Sequence, residues 1–163
     1  MASSILSTKK LSNKFQALRQ SLYLDVNPDY RSTVLLAGTG RSGTTWVGDI
    51  INYKNEYRVL FEPFHCERVP LIADFHYRQY LRPDNKDPKY FHAIEAILTG
   101  RVRNWWVDIS NKRLISHQRL IKDIRVHFLL KWISQNFPGL PIILLLRHPC
   151  AVAASKLKMN WDA

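Results

Sequence analysis

The chain has 163 residues, 46 % of them hydrophobic and five of them tryptophan, which is single-domain length with enough apolar mass for a core and excludes a disordered chain. Its 24 basic and 13 acidic residues leave a net charge of +11 and favour anionic partners. The basic residues are scattered and no nucleic-acid-binding motif is present, which sets nucleic acid aside; two cysteines, Cys66 and Cys150, are too few and too far apart for a disulfide framework or a zinc site.

In chain order, the first 24 residues carry Lys9, Lys10, Lys14 and Arg19 and no acid. They read as a solvated helix with Leu11, Phe15, Leu18 and Leu22 on one face rather than as a transit peptide. A first strand is expected over about Thr33 to Ala37, and a first helix over Thr44 to Tyr53 with Val47, Ile50 and Ile51 facing inward. A second strand follows from Arg58 to Phe61 and stops at Pro63. The basic, aromatic-rich segment 64–118 is expected to hold two or three helices, one from Pro88 to Leu98 with Gly100 as its stop. A third strand covers Leu120 to Lys122, and a helix from Arg125 to Asn136 repeats Val126, Leu129, Leu130, Ile133 and Phe137 at helical spacing. The apolar run Ile142 to Leu146 suits a parallel strand covered on both faces, and a helix from Ala151 to Trp161 follows it. No run of 18 apolar residues is long enough for a membrane span, and the free thiols point to a reducing, cytoplasmic setting.

This alternation predicts an α/β fold: a three-layer parallel sheet with helices on both faces and a P-loop-like nucleotide site. Ligands of such sheets sit at the carboxyl ends of the strands, and Arg41, Glu62, Lys122 and Arg147 all fall at or just after expected strand ends.

Two stretches carry chemistry. In "LLAGTGRSGTTWVGD", residues 35–49, an apolar strand runs into Gly38 and Gly43 lies five residues on. Consecutive backbone N–H groups at a helix N-terminus form an anion site, and Ser42, Thr44 and Thr45 add hydroxyl donors. The lysine of the usual triphosphatase loop is replaced by Thr44, and the loop's cation is Arg41, three residues earlier. The fourth strand ends in Leu146-Arg147-His148 and brings no acidic metal partner, so the loop suits an anion that needs no metal. In "LLLRHPCAVAAS", residues 144–155, a buried strand delivers Arg147 and a helical turn delivers Ser155. An arginine fork is the preferred partner of phosphate.

Together the motifs resemble the sulfotransferase family that uses 3′-phosphoadenosine 5′-phosphosulfate (PAPS). "GRSGTTW" is similar to its 5′-phosphosulfate loop, and "RHPCAVAAS" is similar to its 3′-phosphate motif, with the same arginine-to-serine spacing of eight. The resemblance implies that Gly40, Arg41, Ser42, Gly43, Thr44, Thr45 and Trp46 form the phosphosulfate loop, with Arg41 also meeting the sulfuryl group. It implies that Arg147 and Ser155 clamp the 3′-phosphate, and that transfer proceeds by in-line displacement without a metal. In the small-phenol branch a histidine acts as base; in "LIKDIR" Ile124 stands at that position. "LFEPFH" resembles the carbohydrate-type and bacterial branch, which makes Glu62 the expected base, held low in pKa by Arg41 nearby.

Lys122 is the expected contact to the bridging oxygen or the acceptor, Asp123 is expected to pair with a basic neighbour, and His65 and His148 are further candidates. The expected partners are PAPS, its product adenosine 3′,5′-bisphosphate, and a hydroxyl- or amine-bearing acceptor such as a carbohydrate. Residues 1–163 are expected to be one sulfotransferase domain lacking its C-terminal part. Segment 64–118 is expected to be an acceptor-side insertion that offers Phe75, Tyr77, Tyr80, Trp105 and Trp106 either to the acceptor or to a core. A nucleotide-binding fragment without turnover and a small-molecule kinase are the competing readings.

Overall fold

Short apolar runs become strands, and the computed structural model, which describes residues 23–111 and 113–160, joins them into parallel sheets. The order is β1 (Leu24–Asp25), β2 (Thr33–Gly38), α1 (Thr44–Ile51), β3 (Tyr57–Phe61), α2 (Pro88–Leu98), β4 (Ile115–Ser116), β5 (Gln118–Asp123), α3 (Leu130–Asn136), β6 (Ile142–Leu145) and α4 (Pro149–Lys158). The main sheet has the order β3-β5-β2-β6; β1 and β4 form a separate parallel pair. In register, Leu35 lies beside Ile121 and Ile142, and Leu60 beside Ile121.

Alternate residues of a strand face opposite sides. Leu35, Ala37, Leu60 and Ile121 pack with Ile94, Ile97 and Leu98 of α2 and with Val126, Leu129, Trp132 and Ile133 around α3. Each such buried aliphatic side chain contributes about 1.5–3 kcal/mol. Leu36 and Leu120 point to the other face, where α1 lies so close that a Cβ on Gly48 would sit 3.7 Å from Leu36. Helices therefore cover both faces, the expected three-layer α/β arrangement. α2 starts on Asp87, whose carboxylate accepts from the Lys89 N–H, has Pro88 at its first position, and stops at Gly100, where φ is +71°.

Two fully buried arginines lie side by side in register, Arg58 on β3 and Arg119 on β5. Arg58 pairs with Asp108 at 2.9 Å and donates to the Gly100 and Val102 carbonyls. Arg119 pairs with Asp25 at 2.6 Å and donates to Thr33. Asp25 also lies 3.6 Å from Arg58 and presses on Gly100, where an added Cβ would come within 2.2 Å of its carboxylate. Gly100 is thus required by close approach as well as by its backbone angle.

Several expectations are corrected. β6 is an edge strand, and it is not covered on both faces: Ile143 and Leu144, which point to opposite faces, are 39 % and 48 % exposed. α1 turns Thr44 and Gly48 inward, while Ile50 is half-exposed. Among the described residues, segment 64–118 holds two helical elements, of which only Pro88–Leu98 is an α-helix and the other is a short 3-10 helix at Pro70–Ile72. The helix expected from Arg125 starts as a 3-10 turn, Val126–Leu129, before α3. Of the helix expected within the first 24 residues, residues 1–22 lie outside the described residues and Leu24 belongs to β1; Trp161, at the expected end of the last helix, also lies outside them. Both cysteines are free thiols, as expected.

Candidate functional site

The loop between β2 and α1 is shaped by two left-handed residues, Arg41 at φ +68° and Gly43 at φ +98°. Glycine adopts this freely; an arginine there costs on the order of 1 kcal/mol, the kind of strain concentrated at functional turns. The loop is tight: a Cβ on Gly38 would lie 2.7 Å from both Ser42 Oγ and Thr44 Cγ2. Ser42 and Thr44 are buried, and Ser42 Oγ has no hydrogen-bond partner. Arg41, Thr45 and Trp46 face outward, Trp46 with 70 % of its surface exposed.

Pairing of β6 with β2 places Leu145 beside Gly38 and so carries the second motif to the loop. Arg147 donates to the Arg41 carbonyl at 3.0 Å, and Arg41 Nε donates to Ser155 Oγ at 3.1 Å. A cavity of about 280 Å³ opens here, lined by loop residues Gly40, Arg41 and Gly43 to Trp46, with Arg147, Glu62, Lys122 and Ile124. Residues of both motifs and both strand-end candidates therefore share one space.

On the β3–β5 side, Phe61 and Lys122 are in register, and the Glu62 N–H donates to the Lys122 carbonyl at 2.8 Å. Glu62 itself has φ +44°, a strained conformation for a residue with a side chain. Its carboxylate accepts from Lys122 Nζ at 2.8 Å and from Arg125 at 2.6 Å, and Lys122 Nζ lies 4.5 Å from the Phe61 ring centre. Burial would raise the Glu62 pKa, but the hydrogen bonds from Lys122 and Arg125 outweigh it and hold the carboxyl below its ordinary value. The cations hydrogen-bonded to Glu62 are thus Lys122 and Arg125, while Arg41, the cation expected beside it, donates to Ser155.

Asp123 does not pair with a basic side chain, correcting the other expectation at this strand end. It is fully buried and accepts from three backbone N–H groups, those of Phe64, Arg125 and Val126. His148 caps α4 by accepting from the Cys150 N–H. His65 stands edge-on to Trp106, and burial together with the Arg125 charge lowers its pKa. In segment 64–118, Phe75 is core, Trp106 packs on Phe61, and Tyr77, Tyr80 and Trp105 are exposed.

Arg125 was missed in the sequence. Its signal was present in "LIKDIR", a second cation three residues past Lys122, but nothing in a linear reading aims it back at Glu62. A larger cavity was missed too: about 450 Å³ between α1, β3 and β5, sharing Thr45 and Lys122 with the first and lined further by Asp49, Tyr53, Phe61 and Ser110. Among the described residues, no group of three or more His, Cys, Asp or Glu is placed to hold a metal ion, and no helix is long and apolar enough to cross a membrane.

A family model described as a sulfotransferase domain matches residues 31–163. No curated protein and no solved structure matches the chain.

Proposed function

The chain belongs to the sulfotransferase family, enzymes that transfer a sulfuryl group, and from that premise we propose that its donor is PAPS and its acceptor a hydroxyl- or amine-bearing carbohydrate or other small molecule. The observation that carries this is the junction of the two motifs: Arg147 grips the loop at Arg41, and Arg41 reaches Ser155, across 106 and 114 residues of chain. Bound there, PAPS supplies an activated sulfuryl group on a phosphate leaving group. The residues fit it: Ser42 Oγ is a buried hydroxyl with no partner in a glycine-tight loop, and the surrounding donors are amides, hydroxyls and arginines suited to anions.

In this reading Gly40, Ser42, Gly43, Thr44 and Thr45 hold the 5′-phosphate through backbone N–H and hydroxyl donors. Arg41 meets the sulfuryl group, Arg147 and Ser155 hold the 3′-phosphate, and the exposed face of Trp46 takes the base. Lys122 stands between the two cavities and stabilises charge on the leaving phosphate. Glu62 accepts the acceptor's proton. As an ion-paired carboxylate it is ionised at neutral pH but weakly basic, so it takes the proton late, once bond formation has made the hydroxyl acidic.

The larger cavity receives the acceptor. Its lining mixes the aromatic Tyr53 and Phe61 with the polar Asp49, Asn52 and Lys122, a combination that suits a sugar ring, and segment 64–118 contributes Ser110 to it as an acceptor-side insertion. Residues 1–163 act as one domain of the carbohydrate-type or bacterial branch in this reading; Ile124, facing the cavity where the small-phenol branch has histidine, supports that branch. Calorimetry tests the donor: adenosine 3′,5′-bisphosphate should bind equally with and without EDTA and far more tightly than ATP. Equal affinity for the two, or Mg²⁺-dependent ATP binding as a kinase requires, would overturn the reading.

A further inference from the structure

Asp123 is fully buried beside the site and has no part in the scheme above. Its Oδ2 accepts from the Phe64 N–H at 2.9 Å, and its Oδ1 from the N–H groups of Arg125 at 2.6 Å and Val126 at 3.1 Å. Phe64 lies two residues beyond Glu62, on the turn that begins with the strained Glu62 backbone. Arg125 supplies the guanidinium that grips Glu62 Oε2. One carboxylate therefore ties together the two chain segments whose side chains form the Glu62–Arg125 pair, without itself lining either cavity.

We propose that Asp123 is a positioning residue for the transfer: acting through the Phe64 and Arg125 amides, it holds Glu62 in the place and the ionised form in which that carboxylate receives the acceptor's proton. The proposal rests on the role given to Glu62 above.

A second consequence is sensitivity to pH. Burial, with the Glu62 charge adding to it, pushes the Asp123 carboxyl up to about 6, while the Arg125 and Phe64 N–H groups and the Arg125 charge hold it from rising further. The charged and titratable groups around it are Glu62 at the end of β3, with Lys122 on its other oxygen, Arg125 on its own turn, and His65 beyond Arg125; β2 presents uncharged Ala37 in register. A proton on Asp123 turns one acceptor oxygen into a donor facing an N–H, which loosens the tie. Glu62 stays ionised through that change, since its own pKa lies below the ordinary value.

The test is a carbon-13 NMR titration of the Glu62 side-chain carboxyl in the full chain, wild type and Asp123→Asn, with adenosine 3′,5′-bisphosphate affinity measured by calorimetry as a separate readout. In the wild type the Glu62 signal should show a step near pH 6, well above its own titration. In Asp123→Asn the step should vanish, while bisphosphate affinity stays within about twofold. Identical Glu62 profiles in the two proteins would overturn the proposal. If the variant does not fold, the wild-type titration decides alone: a step near pH 6 supports the tie and a flat Glu62 signal there removes it. Absence of bisphosphate binding, by contrast, would sink the PAPS reading and leave the Glu62 profile to be judged by itself.

Discussion

Lys122→Met removes an ammonium while keeping a stem of similar length against the Phe61 ring. The lost group lies 2.8 Å from Glu62 Oε1, with the two side chains 10 % and 8 % exposed. At that separation and an effective dielectric constant of about 20, the bare attraction is about 6 kcal/mol. Desolvation of both groups offsets much of it, and truncating one partner of a buried pair costs about 3–5 kcal/mol. Arg125 stays on the other oxygen of Glu62, so the lower end applies, about 3 kcal/mol. With a urea m-value of about 2 kcal/mol per molar, the unfolding midpoint should fall by about 1.5 M. In a double-mutant cycle with Glu62→Gln, the coupling energy should be about 2 kcal/mol, because the double variant leaves no carboxylate to strand. A coupling below about 0.5 kcal/mol would show that the pair is not formed in solution and would refute both the magnitude and the account of the lowered Glu62 pKa.

Arg147→Ala should weaken adenosine 3′,5′-bisphosphate binding by about 1.5–3 kcal/mol in calorimetry, the value of a charge-assisted contact; unchanged affinity removes Arg147 from the site. Arg58→Met should cost about 3–5 kcal/mol of stability in urea, because Asp108 is then buried without a cation and with only the Asn111 amide on Oδ1, and adding Asp108→Asn should recover part of that loss. The pH dependence of stability has a definite sign. Asp123, with its pKa raised from 3.8 to about 6, holds its proton more tightly when folded, so its contribution falls as pH rises from about 4 to about 6 and is constant above. Glu62, with its pKa lowered from 4.5, contributes stability above that value that is lost only as pH falls below it. Between pH 4.5 and 6 the wild-type urea midpoint should therefore decline relative to that of Asp123→Asn; parallel profiles would contradict the raised Asp123 carboxyl.

The strands were legible because an apolar run bounded by polar residues or glycine is a local feature. Thr33–Gly38 and Pro88–Leu98 appear almost where their patterns place them, the second with its aspartate cap and glycine stop. The helix cues of segment 64–118 were weaker and its chain is mostly irregular, since its buried residues, Phe64, Val69, Ile72 and Phe75, are pinned by packing rather than by a helical repeat. The exposure of β6 was unreadable for a related reason: an apolar run states what a strand could bury, and only strand order states whether anything lies against it.

For the site, the residue types and spacing of Gly40 to Trp46, and of Arg147 and Ser155, were enough by themselves to propose a loop for an anion and its arginine partner, because phosphate recognition depends on local backbone and on the guanidinium fork. Which cations act on Glu62 was decided by the tertiary structure. Register between β3 and β5 sets Lys122 beside it, and the Asp123-bound turn swings Arg125 back to it, while Arg41 turns instead to Ser155. Ionisation follows distance and burial in three dimensions, so the sequence by itself determined the fold class and the two motifs, and the packing of two strand ends determined which carboxylate is held ionised and which is left to titrate near neutrality.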